Sequence, residues 1–99
     1  MKIQFWNTDK GFFLANEGTY YIQNVSTNMY LDVENGSTKN GANVREWTLN
    51  KTNSQMFKII RDENGLYHIL TATSNYTSCL DVENGSSQNG ANIMQYKYY

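Results

Sequence analysis

Residues 31–44 read LDVENGSTKNGANV and residues 80–93 read LDVENGSSQNGANI. The two stretches differ at three of fourteen positions, in a chain of only 99 residues. A core asks for apolar side chains of suitable volume. It does not by itself hold polar residues such as Asp32 and Asp81, or Asn43 and Asn92, alike. Turns do ask for particular residues. The repeat therefore marks a duplicated structural unit that also carries a duplicated site.

Inside each copy the pattern is that of strands. Leu31 and Val33 flank Asp32, so at a period of two the aliphatic pair shares one face and the carboxylate takes the other. Leu80, Asp81 and Val82 repeat the arrangement. One strand later Val44 reads as core, which puts Arg45 and Trp47 together on the opposite face. Met94 with Tyr96, and Gln4 with Trp6, are the equivalent pairs. Each full copy thus predicts an outward carboxylate and, on the following strand, an outward aromatic ring.

Outward from the repeat, helical spacing is absent. Short β-rich runs lie at 19–24, 29–33, 43–48, 56–61, 66–71, 79–83 and 92–98. Asn-Gly pairs at 35–36, 40–41, 64–65, 84–85 and 89–90 separate them, and this dipeptide accepts positive φ easily and favours hairpins. The reading is a single all-β domain: a partial repeat at 1–17, a complete four-strand repeat at 18–64, and a repeat at 65–99 that lacks its last strand. Residues 3–6 read as the third strand of the partial repeat and residues 11–14 as its fourth.

Composition narrows the function. Apolar residues make up 39% of the chain and proline is absent, so the chain is neither disordered nor a membrane-inserting protein. A net charge of −1 without a basic cluster argues against nucleic acid as partner. No charged segment followed by an apolar stretch encodes a secretory signal. The single cysteine, Cys79, cannot form an internal disulfide and reads as a buried, inert thiol. Asn and Tyr are abundant while charges are few. Planar hydrogen-bonding groups and flat rings are what sugar hydroxyls and pyranose C–H faces require.

The ordered series L-D-V, G-S-x-x-N-G-A-N-V and Q-x-W resembles the ricin B-type lectin repeat, shared with family 13 carbohydrate-binding modules. The resemblance covers residues 18–99 well and 1–17 loosely. It implies a β-trefoil, three four-stranded repeats forming a capped barrel, here incomplete in one chain. It also implies shallow sites for galactose, N-acetylgalactosamine or xylose-type sugars, and an extracellular or cell-surface setting. Asp32 and Asp81 match the aspartate that accepts bonds from sugar hydroxyls, and Trp47 and Tyr96 match the aromatic platform. Ser54 and Gln55 match an Asn-Gln pair that also touches sugar, and Asn92 joins the second site. Arg45 and Met94 stand where the family has glutamine, so Arg45 is expected to hold Asp32 and Gln95 to substitute in the second copy.

Each signal has a plainer reading. Asp32 and Asp81 could serve only to enter the following turn, and the two rings could pack beneath a hairpin. Asp-x-Glu-x-Gly at 32–36 and 81–85 lacks the later ligands of a calcium loop, so no metal and no cofactor are expected. His68 and Phe57 read as structural. A glycosidase needs its carboxylates roughly 5–9.5 Å apart, whereas equivalent positions in separate repeats lie farther from each other. The expectation is therefore a non-catalytic glycan-binding module. Because exposed sheet edges are seldom left bare and weak sites gain from repetition, a homo-oligomer is expected to complete the shell. The alternatives are a targeting module of a larger enzyme or toxin, and a protein-interaction trefoil with vestigial sugar sites.

Overall fold

The computed structural model describes residues 3–9, 11–12 and 18–98. Among these described residues nine strands follow one another: β1 (Ile3–Asn7), β2 (Gly11–Phe12), β3 (Thr19–Asn24), β4 (Met29–Val33), β5 (Val44–Trp47), β6 (Phe57–Arg61), β7 (Tyr67–Thr71), β8 (Ser78–Val82) and β9 (Ile93–Lys97). All pairings are antiparallel and join the strands into one curved sheet. Strands β3–β6 form the first unit and β7–β9 the second.

Turn chemistry sets the repeat. After each Leu-Asp-Val the chain makes a single 3-10 turn, Glu34–Gly36 and Glu83–Gly85. Asn35 and Gly36 lie at φ 59° and 61°, and Asn84 and Gly85 at φ 57° and 59°. Two successive left-handed residues are what Asn-Gly supplies at least steric cost. In the other three Asn-Gly pairs only the glycine turns left-handed. Each tight turn lets the strand fold back as a hairpin, β4 on β5 and β8 on β9.

Between hairpins, neighbouring units share strands. β6 lies against β7 with Ile59 opposite Ile69, and β1 lies against β3 with Phe5 opposite Ile22. β1 thus stands to the first unit as β6 stands to the second. The spacing had suggested a third-strand place for residues 3–6, and the pairing corrects this to a fourth-strand place. The Q-x-W pattern in β1 lies against β3 rather than against a Leu-Asp-Val strand, and Phe5 finds Tyr20 edge-on at 6.2 Å between ring centroids. Residues 13–14 of the expected fourth strand lie outside the described residues.

The core gathers Ile22, Val33 and Phe57, with Phe5, Leu31, Ile69 and Leu80 packed around them. Val44, expected inside, instead borders an open apolar groove of ≈ 570 Å³ with its counterpart Ile93, beside Leu31, Leu80 and Val82. Ile93 is 41% exposed. The groove lies between the two units and includes the equivalent pairs Leu31 with Leu80 and Val44 with Ile93, bordered by Arg45, Glu46 and Asp81. No third set of side chains closes it among the described residues. His68 braces the turn between β6 and β7: its Nε2 lies 2.8 Å from Asp62 Oδ2, and that bond holds the Asp62 carboxyl below its ordinary range. Among the described residues no helix is long and apolar enough to cross a membrane.

Phe57 is fully buried at the centre of this core. Replacing it by alanine should cost about 3–5 kcal/mol, read as a lower urea midpoint with an unchanged slope.

Candidate functional site

The first hairpin carries Asp32, Arg45 and Trp47 on one face, as the strand alternation requires, with Asp32 opposite Arg45 and Tyr30 opposite Trp47. The indole is 47% exposed. Asp32, expected to point into solvent, is only 2% exposed. Its outward face is covered by two neighbours. Arg45 Nε donates to Oδ1 at 3.1 Å and Gln55 Nε2 donates to Oδ2 at 3.0 Å. Both acceptor oxygens of the carboxylate are therefore engaged by charge-assisted or amide donors within the protein.

Gln55 sits in the 3-10 turn Asn53–Gln55 and is wholly buried. Its amide also donates to the Thr48 carbonyl at 2.9 Å, while its carbonyl accepts from the Asn50 and Lys51 backbone N–H groups. The closing turn is thereby fastened over the hairpin. Ser54 beside it is half-buried, and a Cβ on Gly36 would meet its Oγ at 3.2 Å. Arg45 does more than hold Asp32. Its guanidinium lies 4.0 Å above the Trp47 ring, a cation–π contact that occupies one face of the expected platform.

The second hairpin brings the same residue types together in a different state. Asp81 lies opposite Met94 in the sheet, so Asp81, Met94 and Tyr96 share a face. They line a pocket of ≈ 260 Å³ together with Val82, Asn84 and Gly85. Asp81 is exposed, and Oδ1 accepts from the backbone N–H of Val82 at 2.9 Å. Tyr96 is 36% exposed. Among the described residues no arginine and no closing turn cover the acid here, so acceptor oxygens and a ring are both open to a ligand. On the same face, opposite Tyr96, the Cys79 thiol is pushed up by burial and then by the charge of Asp81. Asn84, Gly85 and Met94 were absent from the residues expected at this site. Strand parity pointed to Met94, and the turn curling back beside Asp81 brings in Asn84 and Gly85.

Two expected residues lie elsewhere. Asn92 is exposed and its backbone carbonyl accepts from Glu83 N–H. Its side chain does not line the Asp81 pocket. Gln95 is fully buried, because a residue adjacent to outward Tyr96 must take the other face of the strand. There its carbonyl accepts from the Thr71 and Thr73 hydroxyls, and its amide donates to the Ser37 and Lys39 carbonyls of the first unit, both at 3.1 Å. Glu46 holds the matching position in the first hairpin, where it accepts from Asn24 and Thr27. Both residues tie down the preceding turn, but only an amide can also donate across to a neighbouring unit. No group of three or more His, Cys, Asp or Glu that could hold a metal occurs among the described residues.

Comparison with known proteins follows the same outline. Residues 3–96 match the profile of the family described as ricin-type beta-trefoil lectin domain-like. The clotting factor G alpha subunit of Tachypleus tridentatus is 34% identical over 53 residues, which is 54% of this chain and 8% of that protein. Among solved structures, the designed 3-fold symmetric protein ThreeFoil superposes with a TM-score of 0.79 at 34% identity, covering 88% of this chain and 60% of that one. The mdaA-1 domain superposes with a TM-score of 0.68 at 25% identity, covering 88% and 51%. The chain thus spans a small part of the curated relative and about half to three-fifths of the solved structures. The architecture is that of a β-trefoil.

The Gln95 contacts separate structure from binding. Gln95→Glu should destabilise the protein by about 3–5 kcal/mol, since it sets a buried carboxylate against two carbonyls. Glu46→Gln, at the exposed counterpart, should stay within about 0.5 kcal/mol. Chemical denaturation of both variants checks the contrast.

Proposed function

The chain belongs to the ricin-type beta-trefoil lectin domain-like family, and on that basis we propose that it binds carbohydrate without acting on it chemically. Sugars of galactose, N-acetylgalactosamine or xylose type are the proposed ligands, carried on glycans or glycoconjugates. The observation that supports this best is the second hairpin. Asp81 there presents unoccupied carboxylate lone pairs beside an exposed tyrosine ring, in a pocket of ≈ 260 Å³. A carboxylate accepts from two adjacent hydroxyls, and the ring covers the apolar face of the pyranose. Nothing in that pocket combines a nucleophile with a base, the pairing that hydrolysis or transfer would use.

The first hairpin is proposed as the weaker site. A hydroxyl approaching Asp32 would have to displace the Arg45 or Gln55 donor, and a ring approaching Trp47 competes with the guanidinium. The burial of Asp32 also favours a second reading, in which this site is vestigial and the module serves another contact. Delivery of a larger enzyme or toxin to a glycan surface is a further form of the same binding function.

Sugar titrations followed by amide chemical shifts distinguish these readings. Galactose, N-acetylgalactosamine or xylose should shift residues 81–85 and 94–96 at millimolar concentration, as expected for a shallow site. Asp81→Ala should abolish those shifts. Binding that survives unchanged in an Asp32→Ala/Asp81→Ala double variant would place sugar recognition elsewhere.

We also propose that copies of the chain associate through the apolar groove between the units. Its apolar walls repeat the same residues, Leu31 with Leu80 and Val44 with Ile93, and Arg45, Glu46 and Asp81 border them. A surface built from equivalent halves suits a second copy, because like patches can meet across a two-fold axis. Light scattering at micromolar concentration should give a mass above that of one chain, and Ile93→Glu should return it to the monomer value. A wild-type monomer would overturn association.

A further inference from the structure

A cleft of ≈ 300 Å³ lies outside both hairpin sites, between β1 and the first unit. Trp6, Tyr21 and Tyr30 form its aromatic wall, Leu49 and Lys51 close it from the loop after β5, and Asn7 sits at its edge. The strand register explains how the rings meet. Trp6 is opposite Tyr21 across β1 and β3. Gln23, on the same face as Tyr21, is opposite Tyr30 across β3 and β4. Tyr30 is opposite Trp47 across β4 and β5. Directly opposed residues share a face, so Trp6, Tyr21, Tyr30 and Trp47 lie on one face of four strands.

The three rings of the cleft are held in place by contacts across the strands. Tyr21 and Tyr30 meet edge-on at 6.4 Å, and Trp6 Nε1 donates to Gln23 Oε1 at 3.4 Å. Four strands at the usual spacing span about 14 Å, more than one sugar ring occupies. The loop wall is also fixed. Lys51 is held in the left-handed region at φ 58°, its N–H bonded to the carbonyl of Gln55. The other end of that amide holds Asp32. One buried residue therefore positions both the hairpin site and the cleft wall.

We infer that the Trp6–Tyr21–Tyr30 cleft is an extension subsite for a neighbouring residue of a glycan chain, on the same sheet face as the Asp32–Trp47 hairpin site. The ligand is then a linear oligosaccharide, with one ring lying toward Trp47 and the next seated against Tyr21 and Trp6. Asn7 and Lys51 supply polar groups for its hydroxyls. The inference rests on the lectin reading and adds chain length to it.

The test compares xylose with xylotetraose, and galactose with a linear galactotetraose, by calorimetry on the whole chain. At least one tetrasaccharide should bind about five- to tenfold more tightly than its monomer, the gain expected from one more ring contact. Trp6→Ala should remove that gain, so that tetramer and monomer bind alike. Because loss of a half-buried indole could loosen β1, Thr8→Trp provides a second variant that fills the cleft and keeps its rings. It should erase the same gain, with the thermal transition of each variant recorded alongside. Equal affinity of monomer and tetramer for the wild type would overturn the subsite, as would a chain-length gain that persists in both variants. Absence of binding by every sugar tried would overturn the lectin reading itself, and the subsite with it.

Discussion

The two units hold together through Gln95. Its backbone carbonyl accepts from Gly41 N–H at 2.7 Å and its N–H donates to the Ala42 carbonyl at 2.8 Å. Its side chain reaches the Thr71 and Thr73 hydroxyls on its own side and the Ser37 and Lys39 carbonyls across the seam. A buried polar group left unpaired is costly, and one fully paired in a low-dielectric interior fixes a single arrangement. Gly41, at φ 87°, lets the first unit's loop bend close enough to make these bonds. With the seam fixed, β9 has one available register, and the faces of Met94 and Tyr96 follow from it.

That constraint shows why near-identical segments end in unlike sites. Asp32 and Asp81 enter the same kind of turn with the same backbone geometry. Their difference comes from what lies above the hairpin. The first unit closes with a turn that brings in Gln55, and arginine stands across the strand from its acid. The second hairpin has methionine across the strand and no such turn among the described residues. One acid becomes a buried structural acceptor held by two donors, and the other stays available. A carboxylate enclosed with its partners adds order, though ion pairs of this kind contribute little net stability.

Much of this was legible in the chain. Alternation placed Leu31, Val33 and Val82 inward and Trp47 and Tyr96 outward, and Asn-Gly located the turns at 35–36 and 84–85. The same alternation, applied strictly, turns Gln95 away from Tyr96. The resemblance to a family with a functional glutamine nearby instead implies a place for it in the site. What strand patterns could not convey is what covers a face. Asp32 has the right parity for exposure and is buried by a glutamine 23 residues farther along. The place of β1 was equally hidden, because a third and a fourth strand share the same period and differ only in partner.

The sites therefore embody opposite solutions to weak ligand chemistry. Clamping an acid costs it nothing further in conformational freedom when a ligand arrives, but it also removes the lone pairs the ligand needs. Leaving the acid free keeps those lone pairs and requires ordering on contact, which subtracts from a binding energy already reduced by the hydration of sugar hydroxyls. On the proposed sugar reading, neither arrangement yields a strong single-ring site. Affinity in such a fold has to come from added contacts that need little ordering. Rigid rings already packed across strands meet that requirement, since an indole or phenol held by its neighbours loses little freedom when a ligand settles on it. Trp6, Tyr21 and Tyr30 have this character, because they stand on the sheet that also forms the core.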